Sequence, residues 1–240
     1  ISLRLVGSEM CIRDRSMMDQ FHELKESNPG TILFFRMGDF YELFHEDAEI
    51  GSSVLGLALT SRDKNAEKPI PMAGFPWHQL EENLRVMLRS GYKVTVAEQE
   101  EELREGAKLL ERVVTRIYTP GSLYEESLIG SDSSALLCSL IQTNESVAAA
   151  MIDASTGQAW AVAFSGDERW ASIHDEIMRW NPSELVLTPK DSESDEVLQL
   201  LGMLDSIVVS QHQVQPKRAS KRLKEMLEVN DLGHLDLGQS

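Results

Sequence analysis

The most constraining stretch of this sequence is an aromatic run that ends at a glycine, LFFRMGDFYE at residues 33–42. Its apolar part predicts a buried strand, Gly38 predicts a tight turn, and the acidic segment that follows predicts a helix capped by Asp39. Phe40 would be the first helical residue, at the rim of the fold, and Glu42 would follow two places later. Because residues i and i+2 do not share a helix face, the pair could act together only by projecting from the helix end. An apolar ring beside a carboxylate would then form a wedge and a probe.

Two structural alternatives remain open for the same residues. The spacing Asp39-x-x-Glu42 also fits a capping box, in which the glutamate accepts a hydrogen bond from the backbone N–H of the aspartate. The aromatic residues Phe40, Tyr41 and Phe44 could equally belong to the core, since large aromatic side chains are usually buried. Under either alternative the segment stabilises the fold and recognises nothing.

Three blocks occur in order along the chain: FFRMGDFYELF at 34–44, PIPMAGFP at 69–76, and VVTR at 113–116 leading to TPG at 119–121. Together they resemble the MutS family of DNA mismatch repair proteins, from about residue 16 to the end of the chain. Family members usually carry Cys where this chain has Ala97, a small change at a buried position.

The resemblance implies a site for mismatched double-stranded DNA. In the family, the Phe of a Phe-x-Glu motif stacks on a mispaired base and the Glu hydrogen-bonds to it, and Phe40 and Glu42 occupy those places. The candidate DNA-binding residues are Phe40, Glu42, Met37, Asp39, Arg62 and Met72. Met72 is expected to support the wedge. Glu42 would accept a hydrogen bond from a base N–H, or donate one to a purine nitrogen if burial raises its pKa.

The same resemblance implies an α/β chain of two domains. Residues 16–122 correspond to a mixed-sheet mismatch-recognition domain, 123–133 to a linker, and 134–240 to a ribonuclease-H-like connector domain that is incomplete at Ser240. Residues 1–15 resemble a translated sequencing-adapter read, so we treat them as non-native and exclude them from the fold. A secretory signal is the alternative there, but its apolar region is short and interrupted by Arg4.

Periodicity and breaker residues predict the helices and strands. In the first domain we expect helices at 16–28, 41–52, 78–90 and 98–105, strands at 54–60, 92–97 and 112–118, and a rigid extended segment at 69–76. In the second domain we expect an antiparallel meander of strands at 135–142, 146–153 and 158–164. Strands at 184–187 and 207–209 then alternate with helices at 168–180, 193–204 and 218–228.

The charge of the chain limits how it can hold DNA. The net charge is −16, with 12 basic and 18 acidic residues over 16–122 and 8 basic and 19 acidic residues over 123–240. Such a surface does not attract phosphates broadly, so most of the affinity should come from parts not present here. The best basic patch is the 61–68 loop, with Arg62, Lys64 and Lys68, although a merely solvated loop is an equal alternative.

No catalytic or metal site is expected in this chain. It contains no Walker A motif, no G-x-S-x-G elbow and no metal-spaced Cys or His residues. The resemblance places a DNA-dependent ATPase, with ATP and Mg, in a part of the family protein that is absent here. A nuclease using Asp153 with Asp175 or Glu176 is an alternative, against which Asp153 could simply cap a turn. A pure interaction module is the other alternative.

The remaining expectations concern compartment and partners. No run of about 18 apolar residues is present, which argues against a membrane span, and two cysteines suit a reducing cytosol. The resemblance implies a cytoplasmic, nucleoid-associated bacterial protein. It also implies a homodimer formed through absent domains and a MutL-type partner that docks on the connector domain.

Overall fold

The computed structural model describes residues 16–62, 68–100, 110–122, 136–204 and 207–231. The chain divides into two compact units, one ending at Thr119 and the other beginning at Pro120. Each unit has its own mixed sheet, which confirms the α/β class. None of the described helices is long and apolar enough to cross a membrane.

The first unit is built on a six-stranded sheet. Its elements are α1 (Met17–Ser27), β1 (Thr31–Met37), β2 (Phe40–Phe44), α2 (His45–Leu55), β3 (Thr60–Arg62), β4 (Ile70–Pro76), α3 (Leu80–Arg89), β5 (Lys93–Gln99) and β6 (Arg112–Tyr118). The spatial order is β3-β4-β2-β1-β5-β6. Strands β1 and β5 are parallel, and the other neighbouring strands are antiparallel. Strand β2 therefore lies inside the sheet, hydrogen-bonded on both sides.

The segment after Gly38 is a strand, so the predicted helix at 41–52 begins too early. Strand β2 occupies Phe40–Phe44 and α2 begins only at His45. Aromatic residues favour a pleated, half-buried surface, and here β1 and β4 supply that surface on either side. Acidic residues occupy the first turn of α2, where they complement the helix dipole. The capping box from Asp39 to Glu42 is wrong for the same reason, since no helix starts there.

The turn at Gly38 joins β1 to β2 as a tight hairpin. Met37 pairs with Phe40, so only Gly38 and Asp39 form the loop. Gly38 has a φ of +58°, whereas the φ of Asp39 is negative. A glycine at the first of two loop positions is the pattern of a type II′ turn, whose twist matches that of the flanking strands. The tight turn predicted at Gly38 is confirmed.

Other boundaries of the first unit differ in part from the predictions. Helix α2 continues to Leu55 and ends at Gly56, which has a φ of +69°, so the strand expected at 54–60 is wrong and a shorter strand follows as β3. Glu98 belongs to β5 rather than to an acidic helix. Residues 101–109 of that expected helix lie outside the described part of the chain. The predictions for α1, α3, β4, β5 and β6 are confirmed within a few residues.

Helix α1 covers one face of the sheet. Ser16 caps it through a reciprocal capping box with Asp19. Its buried Phe21 makes edge-to-face contacts with Phe35, at a ring-centroid distance of 5.7 Å, and with Phe44, at 5.1 Å. Such contacts add to the free energy gained by burying the rings. Helix α1 thereby buries the C-terminal end of β2, at Phe44, in the core.

The second unit contains a five-stranded sheet. Its elements are β7 (Leu136–Gln142), β8 (Ser146–Asp153), β9 (Ala159–Ser165), α4 (Arg169–Trp180), β10 (Glu184–Leu187), α5 (Asp195–Met203), β11 (Val208–Gln211) and α6 (Pro216–Met226). The spatial order is β11-β10-β7-β8-β9, with β7–β9 antiparallel and β10 parallel to both of its neighbours. The predicted meander followed by alternating helices and strands is confirmed.

Pro120 and Gly121 pack within the second unit. The backbone N–H of Gly121 donates to Glu184 Oε2 at 3.1 Å, and a Cβ atom on Gly121 would lie 2.8 Å from Cβ of Glu184. This close approach explains a glycine here. The expected linker, 123–133, lies outside the described residues, so the exact domain boundaries stay predictions.

The two ends of β2 should respond differently to truncation. We expect Phe44→Ala to lower the free energy of unfolding of the first unit by about 3–5 kcal/mol, because Phe44 is 0% exposed within the core under α1. We expect Phe40→Ala to cost at most about 1 kcal/mol, because its ring is 47% exposed. Urea denaturation of the full chain measures both variants. Equal losses would contradict this assignment of core and rim.

Candidate functional site

Phe40 is an exposed aromatic side chain at the start of a central strand. It is 47% exposed, whereas Tyr41 and Phe44 of the same strand are 1% and 0% exposed. The core alternative is therefore wrong for Phe40 and confirmed for the other two. Opposite Phe40 stand Met37 on β1 and Pro76 on β4. The ring thus lies at the rim of the fold, as the sequence predicted, although on a strand.

Glu42 shares a face of β2 with Phe40. Side chains two residues apart in a strand point to the same side, which replaces the expectation that the pair projects from a helix end. Glu42 is flanked in register by Phe35 on β1 and Gly74 on β4. A Cβ atom on Gly74 would lie 2.9 Å from the carbonyl oxygen of Tyr41 and 3.5 Å from Cγ of Glu42. The glycine therefore leaves the β4 side of the carboxylate uncovered.

Burial raises the pKa of Glu42 above its usual range, and the positive charge of Arg62 opposes this shift. No hydrogen bond from a described residue contributes to the shift. A carboxyl group with a raised pKa is more readily protonated and can then donate a hydrogen bond as well as accept one. The Glu42 carboxyl can therefore accept a hydrogen bond in its ionised form and donate one when it is protonated.

The other candidate residues lie at different places in the first unit. Met37 is half-buried and packs against the core cluster under α1. Asp39 is exposed in the hairpin loop, and its carbonyl accepts a hydrogen bond from the backbone N–H of Trp77 at 2.9 Å. Arg62 ends β3, at the side of the sheet beyond β4. Of the predicted basic loop, Lys68 is exposed, and Lys64 lies outside the described residues.

Met72 does not lie beside Phe40. Its partners in register are Phe44 on β2 and Thr60 on β3. Phe44 is the far end of a five-residue strand, about 13 Å from Phe40 at the usual rise per residue. The expected support of the wedge by Met72 is therefore replaced by the pairing of Pro76 with Phe40.

Sequence reasoning missed an aromatic cluster on the opposite side of the hairpin tip. Trp77 is 51% exposed, and the guanidinium of Arg36 lies 5.3 Å from its ring centroid. The same guanidinium lies 5.3 Å from the ring centroid of Tyr41, whose hydroxyl hydrogen-bonds to Glu98. The signal was present as a tryptophan directly after the proline-rich block. Its partner could not be recognised, because Arg36 is distant in sequence.

The carboxylates proposed for a nuclease have separate local partners. Asp153 Oδ1 accepts hydrogen bonds from the hydroxyl of Ser155 at 2.6 Å and from its backbone N–H at 2.9 Å, and these bonds lower the pKa of Asp153. This confirms the turn-capping alternative. Asp175 lies against His174 and Glu176 against Arg179. Within the described ranges, no three His, Cys, Asp or Glu residues form a group that could hold a metal ion.

Comparison with known families assigns both units. Residues 15–127 match the model of MutS domain I, and residues 135–240 match that of MutS domain II. Between them these matches cover most of the chain, and the first contains the whole hairpin site.

Curated relatives agree over long alignments. The chain is 40% identical over 176 residues to the DNA mismatch repair protein MutS of Syntrophomonas wolfei, covering 73% of this chain and 20% of that protein. It is 36% identical over 193 residues to the MutS of Desulforamulus reducens, covering 80% and 22%. It is 33% identical over 220 residues to the MutS of Leuconostoc citreum, covering 91% and 25%.

The chain spans about a fifth to a quarter of the length of these curated relatives. The two domain matches follow one another in chain order, and each falls largely within one compact unit of the structure. On these grounds the chain belongs to the MutS family.

Proposed function

We propose that the first unit recognises mispaired bases in double-stranded DNA and that the chain serves DNA mismatch repair. The observation that carries this proposal is the exposed ring of Phe40 at a hairpin tip, with Glu42 on the same face of the strand. Both residues lie within the segment matched by MutS domain I. The names of the relatives, DNA mismatch repair protein MutS, supply the biological context.

In the inferred mechanism, the protein recognises a mispair because the duplex bends more easily there. A mispair stacks poorly, so a kink at that position costs less free energy than a kink at a matched pair. Phe40 enters the minor groove as an apolar wedge between base steps, and the bend brings more protein to the backbone. A ring that stands at the rim is available for this insertion without unfolding any of the core.

Glu42 then probes the base beside the wedge. Its position two residues after Phe40 on the same strand face supports a carboxyl group on the same side of the sheet as the inserted ring. Burial already raises its pKa, and nearby phosphates would raise it further. We infer that Glu42 is protonated on DNA and donates a hydrogen bond to a purine nitrogen.

The rest of the family protein completes the function. The first domain is net acidic, and Arg62, Lys64 and Lys68 make up its one basic stretch that sequence reasoning singled out. We therefore assign most phosphate contacts to parts of the family protein outside this chain. From family membership alone, we also assign homodimerisation and the Mg-dependent ATPase to those parts. The second unit would serve as the connector domain and dock a MutL-type partner.

Truncating the wedge should remove mismatch selectivity. We expect Phe40→Ala to weaken binding to a G·T-mismatched duplex by about 1–3 kcal/mol, the value of stacking an aromatic ring on a base, while homoduplex binding stays unchanged. The measurement is fluorescence anisotropy with a chimera in which this chain replaces the matching segment of the S. wolfei protein.

Ile117→Ala is the matched control for this experiment. Ile117 is 46% exposed, on β6 at the far edge of the same sheet, so its truncation tests the effect of losing a comparable apolar surface. It should leave selectivity intact. A Phe40→Ala chimera that is folded and still prefers the mismatch as strongly as its parent would end the wedge proposal.

Protonation of Glu42 gives mismatch binding a pH dependence. Burial raises the pKa of Glu42 in the free folded protein, and donation to a base requires the neutral carboxyl, so the mismatch complex takes up a proton and weakens as pH rises through the raised pKa. We expect the parent chimera to bind the mismatch more tightly at pH 6 than at pH 8. Glu42→Gln, which is always neutral and can donate, should bind equally at both values. Identical pH slopes for the two proteins would contradict donation by Glu42.

This chain alone should bind DNA weakly. With a net charge of −16 it neutralises few phosphates, so we expect homoduplex dissociation constants above about 1 μM at physiological salt. Gel-shift titration of the isolated chain checks this expectation. Submicromolar binding would show that the chain carries a basic surface other than Arg62, Lys64 and Lys68.

A further inference from the structure

The backbone of the hairpin loop is held from three directions. The N–H of Gly38 donates to Gln99 Oε1 at 3.2 Å, and the carbonyl of Gly38 accepts from Arg36 Nε at 2.5 Å. The carbonyl of Asp39 accepts from the backbone N–H of Trp77 at 2.9 Å. An exposed two-residue turn would otherwise be free to move. These contacts fix the turn that sets the position of Phe40.

Gln99 is the most distant of these partners in sequence, and a buried arginine stands behind it. Gln99 is paired with Arg112 across β5 and β6, and Arg112 Nη2 lies 3.4 Å from the Oε1 atom that also accepts from Gly38. Arg112 is 6% exposed, and its Nε donates to the carbonyl of Arg36 at 3.2 Å. The side-chain amide of Gln99 therefore joins the turn to the interior of the sheet.

Burying the charged guanidinium of Arg112 at this position costs folding free energy. Burial lowers the pKa of its guanidinium, and the described hydrogen-bond partners of that group are neutral oxygens. The guanidinium also lies 5.4 Å from the ring centroid of Phe35. A buried charge without a carboxylate partner costs folding free energy, and an apolar residue of similar volume would avoid that cost. Its contacts with Gln99 and with the carbonyl of Arg36 give the charge a positional role.

We propose that Gln99, backed by Arg112, is a positioning residue that presets the hairpin turn for insertion of Phe40 into DNA. This inference rests on the proposed function. A wedge that is ordered before binding loses less conformational entropy on insertion and meets the base step in one orientation. Gln99 lies 59 positions after Phe40 and contacts no base in this scheme, so it acts only through the turn.

Amide hydrogen exchange at Gly38 tests the contact in the full 240-residue chain. In Gln99→Leu the acceptor is lost, and we expect the Gly38 amide to exchange about three- to tenfold faster than in the parent, the range for one hydrogen bond. In Gln99→Glu a carboxylate oxygen still accepts from both Gly38 and Arg112, and protection should persist. Gln142→Leu makes the same substitution at the end of β7 and should leave Gly38 unchanged. Equal exchange in the parent and Gln99→Leu would overturn the proposal.

Mismatch selectivity of the chimera tests whether the preset turn matters for insertion of Phe40 into DNA. We expect Gln99→Leu to reduce the ratio of mismatch to homoduplex affinity about three- to tenfold, with Gln99→Glu restoring it and thermal unfolding confirming that both proteins are folded. Should Gln99→Leu keep the full ratio while Phe40→Ala abolishes it, the positioning role fails and the proposed function stands. Should Phe40→Ala also keep the full ratio, the proposed function itself fails. If Gln99→Leu does not fold, a loss of selectivity in Gln99→Glu despite a protected Gly38 amide would overturn the proposal.

Discussion

The pairing of β2 with β1 on one side and β4 on the other is the constraint on which the structure of this site depends. The register places Phe40 at the turn, Glu42 opposite Phe35 and Gly74, and Phe44 under α1. A slip of one residue would exchange the faces of the strand and drive Phe40 into the core while exposing Tyr41. The two-residue turn fixes the register at one end, and the buried rings fix it along its length. The fold and the proposed wedge are therefore specified by the same set of hydrogen bonds.

One row of side chains on β2 runs from the candidate site at the turn to the core under α1. Phe40, Glu42 and Phe44 point to the same side of the sheet, and their exposure falls from the turn towards the helix. Helix α1 accounts for this gradient, because Phe21 packs on Phe44 and leaves the other end of the row uncovered. A rigid, buried anchor a few residues from an exposed ring is a favourable arrangement for a wedge, since functional groups on strands are held more firmly than groups on loops.

Electrostatics favours an apolar probe over a charged one in this chain. Its net charge of −16 opposes approach to a polyanion, so little of the affinity can come from phosphate contacts made here. The half-buried Glu42 suits the same setting, because a raised pKa reduces the negative charge that it would bring to the groove. In the proposed function the first unit would supply discrimination, and most of the affinity would come from parts of the family protein outside this chain.

The sequence by itself determined the ordered motifs and the boundaries of β6, because these follow from residue types and local periodicity. The two α/β units followed from the resemblance that those motifs carry, and the structure decided between the rim and core alternatives for Phe40. The sequence misplaced the start of α2, since the five-residue segment 40–44, with its three aromatic residues, fits either structure and Asp39 is as good in a turn as at a helix start. Only the tertiary structure decided that this run is a strand, because the surface that makes it one comes from β1 and β4. Tertiary structure alone also brought Gln99 to Gly38 and Trp77 to Arg36, since contacts between residues far apart in sequence depend on sheet order, which no local pattern records.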